Sequence, residues 1–129
     1  MAKRKQGAED RISEAELAVM EALWDTSPLS AADVCDRVCA DNDWSIPTVK
    51  TLLSRLVAKN AVGTEPQGRK FLYHPLVERS DYVGVESRRL VDRLFGGRAA
   101  PLFAHLAENE ALTEADLEEI EALLREMRK

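Results

Sequence analysis

Apolar residues recur along this chain every three or four positions, in segments separated by short turn clusters. Leu17, Met20, Leu23 and Trp24 form the first stripe, and Ser13-Glu14-Ala15-Glu16 precedes it. A serine followed three residues later by glutamate is a capping box, so a helix is predicted here. Asp25 to Pro28 stops it. Leu29-Ser30-Ala31-Ala32-Asp33 repeats the signal, with Ser30 as N-cap and Asp33 as its partner. A short helix follows, with Val34 and Val38 inward, before the turn cluster Asp41-Asn42-Asp43. The third segment is the most regular. Trp44-Ser45-Ile46-Pro47-Thr48 supplies a cap residue and a first-turn proline. Val49, Leu52, Leu53, Leu56 and Val57 then fall on one helical face, and Asn60 suits the left-handed position just past the helix end.

After Asn60 the period shortens. Ala61 to Glu65 and Arg69 to His74 are strand-like, and Pro66-Gln67-Gly68 joins them, which predicts a β-hairpin. Phe71 and Tyr73 share a face of the second strand because side chains alternate, and Pro75 ends it. Helical spacing returns from Glu78 to Phe95, with Tyr82, Leu90, Val91, Leu94 and Phe95 apolar. Gly96-Gly97 breaks that helix, Pro101 to Ala107 forms a short one, and Thr113-Glu114-Ala115-Asp116 caps the last. Its apolar positions Leu117, Ile120, Leu124 and Met127 make an a/d-type seam, widened by Leu123. The fold class is mainly α with a small β-hairpin: a winged helix-turn-helix head over residues 12–77, after a disordered stretch 1–11 and before a helical dimerisation region, 78–129. The seam, with Leu90 and Leu94, has no evident core of its own chain to enter, which predicts a symmetric homodimer.

Length and charge sharpen this picture. The 129 residues suit one small head with an appendage. No apolar run approaches the roughly 20 residues of a membrane span, and Met1 to Asp10 lacks the apolar stretch of a signal peptide. No membrane insertion and a cytoplasmic location are therefore expected. The net charge of −5 argues against a nucleic-acid partner, but its distribution reverses the argument. Residues 45–107 carry 10 basic and 5 acidic side chains, whereas acidic residues dominate on both flanks. Phosphate responds to the local field.

The basic middle coincides with the best candidate site. Opposite the third helix's apolar stripe lie Thr48, Lys50, Thr51, Ser54 and Arg55, with Lys59 near the end. In a helix-turn-helix one helix braces on the backbone while the next offers short polar side chains to the major groove. The threonine methyl suits thymine, and Arg55 suits guanine or a phosphate. Gln67-Gly68-Arg69-Lys70 gives the hairpin a tight basic tip, with Arg69 and Lys70 set for phosphate. Each feature alone has a plain alternative, a solvated helix face or an ordinary basic turn; their order in one chain favours double-stranded DNA. A winged helix used for protein–protein contact, or a ligand- or metal-sensing regulator, are the competing readings. No nucleophile–base pair or glycine-rich phosphate loop suggests an enzyme, and no cofactor or metal is expected. Cys35 and Cys39 are too few for a closed zinc site and read as small buried hydrophobes. Glu114 to Glu121 reads as a solvated helix face.

A family resemblance rests on several segments in fixed order. They are Ile12-Ser13-Glu14-Ala15-Glu16, Val19-Met20-Glu21-Ala22-Leu23-Trp24, Trp44-Ser45, Thr48-Val49-Lys50-Thr51-Leu52-Leu53-Ser54-Arg55-Leu56, Gly68-Arg69-Lys70-Phe71-Leu72-Tyr73, Glu86-Ser87 and Asp92-Arg93-Leu94-Phe95-Gly96-Gly97. From about Ile12 onward the chain resembles the penicillinase-repressor family, the BlaI/MecI group. The resemblance implies a homodimeric repressor on dyad operators of β-lactamase or related resistance genes. It also implies relief of repression when a sensor-linked protease triggers cleavage in the C-terminal part. By spacing to Asn109-Glu110, His105-Leu106 occupies that cleavage position, where staphylococcal members have Asn-Phe. A copper-responsive branch carries paired C-terminal cysteines, and this chain has none after Cys39.

Overall fold

The computed structural model describes residues 11–129; the expectation for residues 1–10 lies outside them. The elements run α1 (Glu14–Asp25), β1 (Leu29–Ser30), α2 (Ala31–Asn42), α3 (Ile46–Ala58), β2 (Val62–Gln67), β3 (Lys70–Pro75), α4 (Arg79–Phe95), α5 (Ala99–Glu108) and α6 (Glu114–Met127). The capping signals work as read. The Ser13 hydroxyl accepts from the Glu16 N–H at 3.1 Å while the Ser13 N–H donates to the Glu16 carboxylate at 2.9 Å. Ser30 with Asp33 and Thr113 with Asp116 make the same reciprocal pair. Each box satisfies amide donors that a helix start leaves open. At α3 the Ser45 side chain makes no such bond, and Pro47 in the first turn removes one of the open donors instead. Asn60 takes the left-handed conformation, φ 64.

The sheet is antiparallel with strand order β1-β3-β2. Two details differ from the sequence reading. Leu29 and Ser30, read only as a helix start, also pair with Tyr73 and Leu72, so the hairpin gains a third short strand. The hairpin loop is Gly68-Arg69, because Gln67 pairs with Lys70 and Pro66 lies inside β2 opposite Phe71. Of the two loop residues only Gly68 has positive φ, 63°, the sign pattern of a type II′ turn, which matches strand twist. Pro66 is tolerated because β2 is an edge strand and needs no second set of donors.

Two compact units divide the chain after Tyr82. In the first, α1, α2 and α3 enclose Val19, Met20, Leu23, Val34, Val49, Leu53 and Leu56, with Val62 from β2, all essentially inaccessible. Val57, read as part of the α3 stripe, is 36% exposed and stands outside that core. Trp24 donates from its indole nitrogen to the Val77 carbonyl at 2.9 Å and packs on Tyr82, which ties α1 to the start of α4. In the second unit no side chain of α5 or α6 is fully buried, and none of α4 is either.

Lys59 also departs from its expected place on the polar face of α3. Its ammonium turns inward to the Glu16 carboxylate at 2.6 Å and to the Arg11 carbonyl at 2.6 Å. Glu16 is 2% exposed. Burial alone pushes its pKa up, but the bonds from Lys59 and the Ser13 N–H, with the fields of Lys59 and Arg55, outweigh this and leave it below 4.5. A carboxyl depressed on folding stabilises the fold above its unfolded pKa, and that contribution is lost as pH falls through the folded value. Stability of the chain to urea is therefore expected to fall below about pH 4.5, the unfolded value, with a smaller acid loss in Glu16→Gln. Lys59→Met leaves the carboxylate buried without its partner and is expected to cost about 3 kcal/mol at neutral pH. A Lys59→Met chain as stable as the parent would contradict this role.

Candidate nucleic-acid interface

Burial of Val49, Leu52, Leu53 and Leu56 fixes the rotation of α3, and its other face is thereby turned to solvent. Thr48, Lys50, Thr51, Ser54 and Arg55 are all exposed on it. Thr51 and Arg55 sit one turn apart. The Thr51 hydroxyl donates to the Pro47 carbonyl at 3.1 Å, so its proton is engaged within the helix and the residue offers its methyl and oxygen lone pairs outward. Arg69 in the hairpin loop and Lys70 at the start of β3 are exposed too.

The ion pairs separate these cations from Arg37, Lys59 and Arg79. Arg37 binds Asp25 at 2.7 Å, Lys59 binds Glu16 and Arg79 binds Glu21 at 2.9 Å. Lys50, Arg55, Arg69 and Lys70 form no direct ion pair with a described carboxylate. Lys70 is nonetheless close enough to Asp33 to act on it. The Asp33 carboxyl is held below its usual range chiefly by the bonds from Ser30, with the fields of Lys70 and Arg37 added. The wing tip thus approaches the N-terminal turn of α2, the helix expected to brace on the backbone.

Between α3 and the wing runs a shallow cleft of 280 Å³ lined by Ser54, Val57, Thr64, Phe71 and Tyr73. The sequence reading placed Phe71 and Tyr73 on one face but did not assign them to this site. Which face they take depends on the pairing of Tyr73 with Thr64 and on the exposure of Val57. Neither is a local property of the sequence. Phe71 is 54% exposed there.

In the second unit, Leu94, Leu117, Leu124 and Met127 are exposed, Met127 by 78%, while Leu90 and Ile120 are half-buried. Leu106, Leu112, Ile120 and Leu123 line a mostly apolar groove of 680 Å³. His105 and Leu106 lie in the last turn of α5, where the His105 carbonyl accepts from the Asn109 side chain at 2.8 Å and the Leu106 carbonyl from the Ala111 N–H at 2.8 Å. The His105 ring packs against Phe95.

Cys35 and Cys39 correct the sequence reading. They are joined in a disulfide across one turn of α2, with Cα atoms 4.8 Å apart. Four-residue spacing on a helix places both on one side, and the pair expected as small buried hydrophobes is a bonded unit. Among the described residues no group of three metal-ligating side chains gathers, and no helix is long and apolar enough to cross a membrane.

The profile of the family described as "Penicillinase repressor" matches residues 12–126. The chain belongs to the penicillinase repressor family. It is 32% identical to the penicillinase repressor of Bacillus licheniformis over 90% of this chain and 91% of that one. It is 30% identical to the methicillin resistance regulatory protein MecI of Staphylococcus aureus over 88% and 92% of the two chains. The DNA-binding domain of the repressor BlaI superposes with a TM-score of 0.53 and 35% identity, covering 62% of this chain and 94% of that domain. A second solved structure, the monomeric form of Bacillus licheniformis BlaI in complex with the blaP half-operator, gives a TM-score of 0.50 and 36% identity over 60% of this chain and 92% of that one. The first unit is thus a winged helix of the penicillinase repressor kind. The helix-turn-helix formed by α2 and α3 and the wing formed by β2 and β3 are its parts.

Proposed function

We propose that this penicillinase-repressor family member is a DNA-binding transcriptional repressor, acting as a homodimer on dyad operators of β-lactamase or related resistance genes. The observation that carries this is the selective exposure of Lys50, Arg55, Arg69 and Lys70, which make no ion pair with a described carboxylate, whereas Arg37, Lys59 and Arg79 are each paired. Cations released from internal pairing are available to displace the counterions condensed on phosphate. A protein-binding winged helix would favour apolar residues at Thr48, Thr51 and Ser54, where this chain has hydroxyls. A related repressor engages a half-operator as a monomer, which supports one head per half-site here.

Thr51 and Arg55 read bases in this account, and Lys50, Arg69 and Lys70 hold phosphate. Because the Thr51 proton is engaged by Pro47, the residue reads through its methyl group and as an acceptor rather than as a donor. Thr51→Ser, which keeps the hydroxyl and removes the methyl, is expected to cost about 1 kcal/mol on the cognate site and nothing on random DNA. Lys50→Ala is expected to weaken both DNAs alike and to flatten the salt dependence by roughly one contact per protomer. Equal loss on both DNAs for Thr51→Ser, or an unchanged salt slope for Lys50→Ala, would contradict these roles.

The homodimer rests on the second unit. Its three helices carry Leu94, Leu117, Leu123, Leu124 and Met127 at the surface and bury no side chain fully; a partner copy gives that apolar area somewhere to go. Joining two heads raises apparent affinity by about 10²–10⁴ through effective concentration. The full chain is expected to sediment as a dimer at micromolar concentration, and a chain lacking residues 99–129 to keep a folded head that binds DNA weakly. A monomeric full-length chain would reject the dimer.

Relief of repression follows from the same tether. A cut at His105-Leu106 by a sensor-linked protease separates the head from α6. Since that bond lies in a hydrogen-bonded helical turn, the turn must open first. Cells exposed to a β-lactam are expected to show a fragment ending at His105 by mass spectrometry; induction with the chain intact would remove proteolysis and leave the repressor.

A further inference from the structure

Cys35 and Cys39 stand outside every role described so far, yet they sit at the structural joint of the helix-turn-helix. The Cys39 carbonyl accepts the N–H of Asp43, the left-handed cap residue of α2 with φ 58, and the N–H of Trp44 at 3.0 Å. The next residue, Ser45, occupies the N-cap position of α3. The turn between the bracing helix and the reading helix is therefore hung on Cys39. In an ordinary α-helix a rise of about 1.5 Å per residue sets Cα atoms four apart at about 6 Å. Here they are 4.8 Å apart. With the sulfurs bonded, α2 is drawn in over the turn that ends at this anchor. Cys35 is half-buried and reachable by a small oxidant, whereas Cys39 is 9% exposed.

We propose that Cys35 and Cys39 form a reversible thiol switch, with the dithiol form binding operator and the disulfide form releasing it. The proposal rests on the DNA-binding reading above. The oxidant is a peroxide. The Cys35 thiolate attacks one peroxide oxygen and becomes a sulfenic acid, and the other oxygen leaves as hydroxide or alkoxide and takes a proton. Cys39 sulfur then attacks the Cys35 sulfur, the S–S bond forms, and the sulfenic oxygen leaves as water with the Cys39 proton. Two thiols lose two electrons and two protons, and the peroxide is reduced to water, or to water and an alcohol. A dithiol reductant reverses the step by exchange. Disulfides of this reversible kind serve sensing where thiols are otherwise kept reduced. The dithiol is the binding form because α2 and α3 must reach backbone and groove together. Drawing in α2 at Cys39 shifts one of those contacts against the other.

The test compares the purified full chain held in dithiothreitol with the same chain treated with hydrogen peroxide. Mass spectrometry and a non-reducing gel verify that the bond is intramolecular. Titration onto the fragment upstream of its own gene is expected to show about tenfold weaker binding by the oxidised form, the order of one lost base contact. The indole N–H signal of Trp44 is expected to shift, while that of Trp24, bonded to Val77, holds still. Cys35→Ser and Cys39→Ser are each expected to bind as the reduced parent does and to keep that affinity in peroxide, the Cys39→Ser chain stopping at the Cys35 sulfenic acid with no disulfide formed. Equal affinity of the two forms, tighter binding by the oxidised form, or peroxide sensitivity surviving in Cys35→Ser would overturn the switch. Reduced chain that binds alongside oxidised chain that binds as well removes the switch alone. Reduced chain that fails to bind removes the DNA-binding reading and the switch with it.

Discussion

A carboxylate that is almost wholly buried must find its compensation where it stands, and the winged-helix head is arranged around one. Glu16 closes the capping box at the start of α1 and at the same time accepts from Lys59 at the end of α3. The Lys59 ammonium also holds the Arg11 carbonyl just ahead of α1. Burial of the stripe from Val49 to Leu56 sets which face of α3 turns inward. The hydrogen-bonded ion pair adds a directional tie at the helix end. The apolar stripe turns Thr48, Lys50, Thr51, Ser54 and Arg55 outward, and the buried charge pins the α3 end to the α1 start in that position.

Much of this head was legible because its signals are local. Capping boxes announce helix starts by residues three apart, and the α3 stripe states its buried face through period alone. The resemblance to penicillinase repressors rested on the same α1, α3 and wing segments, and the family profile spans them. What the sequence concealed depends on partners distant in the chain. Lys59 reads as one more polar-face cation until Glu16, 43 residues away, takes it inward. The β1 strand of two residues is too short to carry a period, and it exists only because β3 offers it an edge. Phe71 and Val57 become neighbours of one cleft only once the wing is registered against α3.

The two units use their apolar residues in opposite ways. The head buries its large side chains among α1, α2, α3 and β2. The second unit spreads leucines over α4, α5 and α6 without enclosing any. A sequence with helix caps as sound as that of Thr113 and Asp116 is built to form a helix, and an amphipathic helix gains most of its stability from what covers its apolar face. This contrast, a closed head and an open apolar tail, is the physical basis on which the proposed function couples DNA occupancy to assembly.

The central claim is that the polar face of α3 reads a two-fold operator. Hydroxyl-radical footprinting of the full chain on the DNA upstream of its own gene tests it most directly. The account requires two protected half-sites related by a dyad, with centres about 10 bp or a multiple of that apart. Uniform protection along the fragment, or none at concentrations where the chain is folded, would contradict it.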